Sequence, residues 1–187
     1  MSNLRFTLAY EDLVSVFGTS NVHRSDRKEV EALGFSGETL EFLCTVGLPS
    51  MPQAELEAPG GDCLLWDPEE EPEGGWDLPE ETRKWVILGN MPGSMLALDP
   101  DSGIVYGSYG DFEEYIPMHS DISSLSYTIY ATKKALREIS LANTYEERKN
   151  IIESVKREII ERDPLPFEHK DSEWRASFEE IAMGMWS

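Results

Sequence analysis

Residues 94–108, SMLALDPDSGIVYGS, decide the fold. The DPDSG at their centre predicts a tight reversal of the chain, because Pro100 presets φ for a type I turn and Gly103 supplies the left-handed residue of a bulge. The apolar residues on either side indicate strands over residues 94–98 and 104–108. This stretch therefore predicts an antiparallel hairpin.

Further strands are predicted on both sides of the hairpin. Residues 85–88, WVIL, form a short apolar run that GNMPG ends, and residues 114–118 indicate another strand. Successive strands joined by short turns make a meander. Residues 49–82, in contrast, are predicted to be an acidic loop region rich in proline and glycine, interrupted by one short strand at 63–66.

Helices are predicted before and after these strands. Apolar stripes indicate N-terminal helices at about 9–17 and 36–46, the second of which Ser36 can cap, and a mostly charged helical segment is predicted at about 26–33, ending at Gly34. A long C-terminal helix is indicated by apolar or small side chains at spacings of three and four. They are Leu125, Ile129, Thr132, Leu136 and Ile139.

Two more helices follow, and they complete the fold class. Thr144 and Glu147 form a capping box for the next helix, which prolines 164 and 166 end, and residues 174–183 form a final short helix. The sequence therefore predicts an α+β fold with a central, mainly antiparallel sheet flanked by N-terminal and C-terminal helices. We expect one domain over residues 1–187, with residues 142–187 packed on it as a helical extension.

The chain carries a net charge of −20, and this charge is concentrated in one part of the sequence. Residues 29–132 contain 21 Asp and Glu residues and only two basic residues, Arg83 and Lys84. Such a concentration attracts cations and repels nucleic acid and anionic lipid. We therefore expect a positively charged protein partner, with neither nucleic acid nor a membrane as the target.

The acidity is greatest in residues 66–81, WDPEEEPEGGWDLPEE, which contain eight carboxylates and no base. Acidic groups steer a partner, while tryptophans within such a segment serve as anchors. Trp66 follows Leu64-Leu65 and is expected to tie the segment to the core, whereas Trp76 is expected to be exposed. The predicted partner-binding residues are Trp66, Glu69, Glu70, Glu71, Glu73, Trp76, Asp77, Glu80 and Glu81.

Signals for catalysis or cofactor binding are weak. Cys44 and Cys63 lack the spacing of zinc ligands, and neither a phosphate-binding glycine loop nor a nucleophile elbow is present. His119-Ser120-Asp121 are adjacent, but triads are usually assembled from separate segments, so Asp121 is better interpreted as a helix cap. We expect no enzyme activity, no cofactor and no metal. A small hydrolase using His119 or scattered carboxylates remains the alternative.

The N-terminus lacks an apolar run behind a basic start, so we expect no signal peptide and a cytoplasmic protein with reduced thiols. No stretch approaches the length of about 18 apolar residues that spans a bilayer. The sequence gives no indication of oligomeric state.

Several short motifs occur in an order that is typical of one family. They are FG at 17–18, VHR at 22–24, FL at 42–43, VGLP at 46–49, LG at 88–89, LDPDSGIVY at 98–106 and MHSDISSLSY at 118–127. Together they resemble the SUKH superfamily, most closely its family 4 of bacterial immunity proteins. One position departs from the pattern, because relatives often have Asn-Ser where this chain has His119-Ser120.

The resemblance implies an α+β fold and a non-enzymatic role, the binding and neutralisation of a toxin. Toxins paired with such proteins are often nucleases or nucleic-acid deaminases, which present basic clefts to phosphate backbones. The acidic residues 66–81 would then occupy such a cleft. A regulatory or scaffolding protein with a host cytosolic partner is the alternative.

Overall fold

The computed structural model describes residues 4–60, 64, 80–109 and 114–186. Within these residues the chain forms seven α-helices and seven strands. The helices are α1 (Tyr10–Phe17), α2 (Arg27–Ala32), α3 (Gly37–Thr45), α4 (Ile122–Ile139), α5 (Tyr145–Ile160), α6 (Leu165–Glu168) and α7 (Glu173–Met183). The strands are β1 (Val22–His23), β2 (Leu48–Pro49), β3 (Glu55–Leu56), β4 (Val86–Met91), β5 (Ser94–Leu98), β6 (Val105–Tyr109) and β7 (Glu114–His119).

The central sheet is an antiparallel meander of five strands in the order β3-β4-β5-β6-β7. The β5–β6 hairpin closes as the sequence predicts. Gly103 has φ 75° and its N–H donates to Asp99 O at 2.9 Å, while Asp99 N–H donates to Ile104 O at 3.1 Å. A second, two-stranded sheet pairs β1 with β2. The predicted α+β class with a central antiparallel sheet is confirmed.

The region around β3 and β4 differs from the sequence prediction. Strand β4 does not end at Leu88 but continues through Gly89 to Met91. The predicted loop region, residues 49–82, contains β3, and β2 overlaps its first residue. The register of β4 shifts between Ile87 and Gly89, and Gly89 has φ 130°. A glycine bulge therefore lets the strand continue where the sequence indicated a turn.

Gly89 is also a point of close backbone approach, so we expect Gly89→Ala to destabilise the fold by about 2 kcal/mol. A Cβ at this position would overlap the carbonyl oxygen of Glu55 on β3, and the positive φ adds strain. Urea unfolding measures the loss. Gly18→Ala is the matched control, because Gly18 has φ 80° with no atom within 4 Å of the added Cβ. Equal losses in the two variants would contradict the backbone overlap.

The main core lies between the sheet and α4. Leu125, Ile129, Leu136 and Ile139 are buried as predicted and belong to the same apolar cluster as the strand residues. Full burial of each such side chain contributes roughly 1.5–3 kcal/mol. The long helix is thus held on the sheet by the stripe that its sequence shows.

Helix α4 begins at the predicted cap. The Asp121 carboxylate accepts hydrogen bonds from Ser124 N at 2.9 Å and from Arg5 N at 2.7 Å. The capping box of Thr144 and Glu147 at the start of α5 is confirmed. Ser36 precedes α3, but its side chain makes no capping hydrogen bond, so that detail of the prediction was wrong.

The C-terminal helices pack on the rest of the molecule. Helix α5 contacts α4 and α7, and α6 contacts β7. Pro166 lies inside α6, a short helix that the sequence did not indicate, where its position in the first turn is tolerated. Trp174, Phe178 and Ile181 of α7 are buried. These contacts support the proposal that residues 1–187 form one domain with 142–187 as its helical extension.

Among the residues that the structure describes, no helix has the length and apolar character needed to cross a bilayer.

Candidate partner-binding surface

Most of the predicted partner-binding residues lie outside the described part of the chain. This applies to Trp66, Glu69, Glu70, Glu71, Glu73, Trp76 and Asp77. Glu80 and Glu81 begin a 3₁₀ turn, Glu80–Lys84. The role of all nine residues in binding stays a prediction.

The flanks of the acidic segment are attached to one end of β4. On the N-terminal side, Glu57 N–H donates to Leu88 O at 2.9 Å, and Leu64 forms an antiparallel bridge with Val86. On the C-terminal side, the 3₁₀ turn leads through Trp85 directly into Val86. Of the predicted strand at residues 63–66, the structure describes Leu64, which pairs with β4. The described residues on either side of the acidic segment therefore both contact β4 or lead into it.

An aromatic cluster lies next to these flanks. The Trp85 ring stacks on Tyr106 with centroids 4.0 Å apart and meets the Tyr115 ring edge-on at 5.7 Å. Tyr106 pairs with Ala97 across the hairpin, next to the core-facing Leu96–Gly107 pair. Since side chains alternate along a strand, the cluster lies on the sheet face opposite the core that α4 covers.

The aromatic cluster combines apolar area with polar atoms. Tyr106 and Tyr115 are partly buried, and burial raises the pKa of Tyr115 to about 12, so its hydroxyl stays protonated. The indole N–H of Trp85 is buried and has no acceptor among the described residues. Side chains of this kind, an apolar ring with a polar tip, are enriched at protein interfaces.

Sequence analysis missed this cluster because its three rings come from separate segments. Trp85 and Tyr115 were each assigned to a strand, but their neighbours across the sheet follow only from the register. The sequence did contain one signal for the cluster, because each of the three predicted strands 85–88, 104–108 and 114–118 carries one of these aromatic residues.

Two basic residues, Arg83 and Lys84, lie in the 3₁₀ turn just after the acidic segment. Lys84 forms an ion pair with Asp101 of the β5–β6 turn. Three exposed glutamates lie on or next to the two outermost strands of the sheet. They are Glu55 on β3, Glu57 just after β3, and Glu114 on β7. Each of these three side chains adds a negative charge to the described surface.

His119 belongs to a buried chain of hydrogen bonds, not to a surface site. Its Nε2 accepts from the indole N–H of Trp174 at 2.8 Å, and its Nδ1 lies 2.9 Å from Ser124 Oγ. Nε2 must therefore be unprotonated, and the neutral ring donates through Nδ1–H to Ser124. Ser124 in turn bonds the Asp163 carboxylate, which also accepts from Ser120 N and Oγ at 2.8 and 2.7 Å.

The charges in this network follow from burial and hydrogen bonding. Burial lowers the pKa of His119 to about 3, although Asp163 acts in the opposite direction. Burial alone would raise the pKa of Asp163, but the hydrogen bonds from Ser124 and Ser120 outweigh it and lower the pKa. A fully buried neutral ring with both nitrogens engaged cannot exchange protons with a substrate. The network instead joins β7, α4 and α7.

This network predicts an acid-sensitive fold. The pKa of His119 is lower in the folded protein than its usual 6.5, so as the pH falls the unfolded chain binds the proton first. The contribution of His119 to the free energy of unfolding therefore decreases from about pH 6.5 towards pH 3, by roughly 1 kcal/mol per pH unit. Urea unfolding at a series of pH values measures this slope.

His119→Asn is the control for the pH prediction. It removes the titrating ring, so as the pH falls from about 6.5 its free energy of unfolding should decrease less, or increase more, than that of the native chain, even if the variant is less stable. The difference between the two chains is needed because burial raises the pKa of Glu173 to about 7, which changes stability in the opposite direction. Identical slopes would show that His119 does not titrate as described.

Among the described residues, no group of three or more His, Cys, Asp or Glu side chains is arranged to hold a metal ion.

Comparison with known families decides the assignment. The family model of the SUKH-4 immunity protein matches residues 8–180. The chain belongs to the SUKH-4 immunity protein family. No curated protein and no solved structure matches it.

Membership of the SUKH-4 family implies a toxin-immunity role, a protein toxin as partner and a non-enzymatic function. The match extends through α5 and into α7, so it includes most of the C-terminal helices as well as the sheet. The resemblance inferred from the short motifs is thereby confirmed.

Proposed function

We propose that this SUKH-4 protein neutralises a toxin with a basic surface, a nuclease or a nucleic-acid deaminase, by binding it through the acidic residues 66–81 and their surroundings. It would act in the cytoplasm, where such a toxin finds nucleic acid. The observation that carries the proposal is the location of the charge, 21 acids against two bases over residues 29–132 of a chain in an immunity family.

Electrostatics gives this arrangement a physical role. A toxin that acts on nucleic acid neutralises phosphates with Lys and Arg, so its cleft is a site for polyanions. A dense set of carboxylates competes for the same cleft and accelerates encounter. The protein would thus block the cleft by occupying it, with no chemical step.

The aromatic cluster supports the proposal from the described part of the chain. Charge steering alone makes two proteins associate fast but does not give their complex a long lifetime. Slow dissociation depends on a few aromatic and Arg side chains in the interface. Tyr106 and Tyr115, supported by Trp85, lie beside both flanks of the acidic segment. Steering and retention would therefore use neighbouring surfaces.

Co-expression tests the proposal. The probe is a toxin domain encoded next to this chain, produced in a bacterium whose growth it arrests. We expect the chain to restore growth and to co-purify with the toxin domain. The result that would overturn the proposal is a folded, abundant chain that neither binds the neighbouring toxin nor protects the cells.

Electrophoresis of cellular RNA and DNA from the arrested cells, together with sequencing for base changes, tests the class of toxin. Degraded nucleic acid indicates a nuclease and deaminated bases indicate a deaminase. Intact, unaltered nucleic acid during arrest would contradict this part of the proposal.

A further inference from the structure

A groove of about 640 Å³ lies between the β4–β5 turn and the start of α7. One wall is formed by Gly93 and Ser94, with Ser108 of β6 behind them, and the other by Glu173 and Ala176. Gly93 lies next to the Glu173 carboxylate, since a Cβ at Gly93 would be 3.5 Å from Glu173 Oε2, at van der Waals contact. Glu173 is itself one of the residues that line the groove.

Glu173 is a partly buried acid with no cation beside it in the part of the chain that the structure describes. Its Oε1 accepts a hydrogen bond from Ser177 Oγ at 3.3 Å, and no Lys, Arg or His nitrogen of the described residues lies within 4.0 Å. Burial, with a smaller contribution from Glu180, raises its pKa to about 7. The charged carboxylate is therefore short of solvation by either water or a counter-ion.

The two cations that line the groove contact groups other than Glu173. Lys170 Nζ lies 3.6 Å from Asp171 Oδ2, and Arg175 Nη1 donates to Phe167 O at 3.0 Å. Glu173 is also the first residue of α7, where the helix dipole favours a negative charge over a protonated acid. The groove therefore offers a carboxylate to a cation that comes from outside the chain.

We propose that this groove binds a lysine or arginine side chain of the toxin, with Glu173 as the carboxylate that pairs with it. An arginine fits best, since its planar guanidinium bonds a carboxylate with two parallel N–H groups. This inference rests on the proposed function, because it takes the partner to be a basic protein.

The groove and the described flanks of the acidic segment lie at opposite ends of β4. Leu64 and the 3₁₀ turn adjoin Val86, and the groove adjoins the turn after Met91, so the strand separates the two places by about 17 Å. An interface of standard size covers about 800 Å² on each partner, a patch about 30 Å across. One toxin domain can therefore contact both places.

The first test uses the full-length chain without any toxin. The Glu173 carboxyl is followed by carbon NMR during a pH titration, with Glu173→Gln to assign the signal. Acetyl-arginine-amide, added at millimolar concentration, should lower the pKa of Glu173 and shift its signal near neutral pH. Acetyl-citrulline-amide, which has the same shape without the charge, should not. An unchanged titration, or equal effects of the two compounds, would overturn the inference.

The second test uses the toxin domain from the co-expression experiment. Glu173→Gln should weaken its binding about tenfold, whereas Glu161→Gln, at an exposed acid that does not line the groove, should leave it unchanged. Normal affinity in Glu173→Gln would overturn the role of the groove and leave the proposed function standing. If the native chain does not bind the toxin at all, the proposed function fails, whatever the arginine titration shows.

Discussion

Replacing Trp174 with alanine lowers the free energy of unfolding by about 3–5 kcal/mol. Trp174 is completely buried, and its ring meets Phe178 edge-on with centroids 6.1 Å apart. Its indole N–H is also the donor that fixes the neutral form of His119. Because domains of this size are stable by about 5–15 kcal/mol in total, the variant should unfold at much lower urea concentration.

Two further variants separate packing from hydrogen bonding at this position. Trp174→Phe keeps much of the apolar contact but leaves His119 Nε2 without its donor, so it should cost about 1–3 kcal/mol. Met183→Ala, at a side chain that is 60% exposed on the same helix, should change stability by less than about 0.5 kcal/mol. If Trp174→Ala were no more harmful than Met183→Ala, α7 would not be part of the cooperative fold.

The elements that sequence analysis predicted correctly are those with local signals. The β5–β6 hairpin follows from Pro100 and Gly103, and α4 follows from its apolar stripe and the cap at Asp121. Each signal involves residues within a few positions of one another, so the chain's own spacing determines the structure. The same holds for the capping box that starts α5.

The features that it missed depend on residues far apart in the sequence. Gly89 continues a strand because the backbone of Glu55 approaches it, which no local pattern encodes. His119 was considered next to its neighbours Ser120 and Asp121, whereas its partners are Ser124 and Trp174. Distant contacts of this kind follow from the three-dimensional fold alone.

The candidate site was predictable in part. Composition identified the acidic residues 66–81, and the family assignment is consistent with a surface that binds protein. Composition could not indicate that Tyr106 and Tyr115 lie beside the flanks of this segment, nor that Glu173 faces a groove at the other end of β4. Both facts depend on the register of the sheet and the packing of α7.

Neutralising part of the acidic segment should slow toxin capture about tenfold at low salt. The variant carries glutamine at Glu69, Glu70, Glu71 and Glu73, which removes charge and keeps side-chain length. Steering acts on the encounter, so the association rate should fall while the dissociation rate changes little. Stopped-flow fluorescence with the toxin domain measures both rates.

A matched control removes the same charge from another part of the surface. Glu138, Glu146, Glu161 and Glu168 are exposed acids of α4, α5, the end of α5 and α6. Replacing these four with glutamine changes the net charge equally, and should alter the association rate much less. Equal effects of the two variants would mean that net charge, not its location, controls capture.

The salt dependence of toxin association in these chains tests the central claim most directly. Between about 0.01 M and about 1 M salt the Debye length falls from about 30 Å to about 3 Å. The association rate of the native chain should fall steeply over this range and converge on that of the variant neutralised at Glu69, Glu70, Glu71 and Glu73. Parallel curves for the two chains, separated equally at low and high salt, would contradict capture of a basic toxin by the acidic segment.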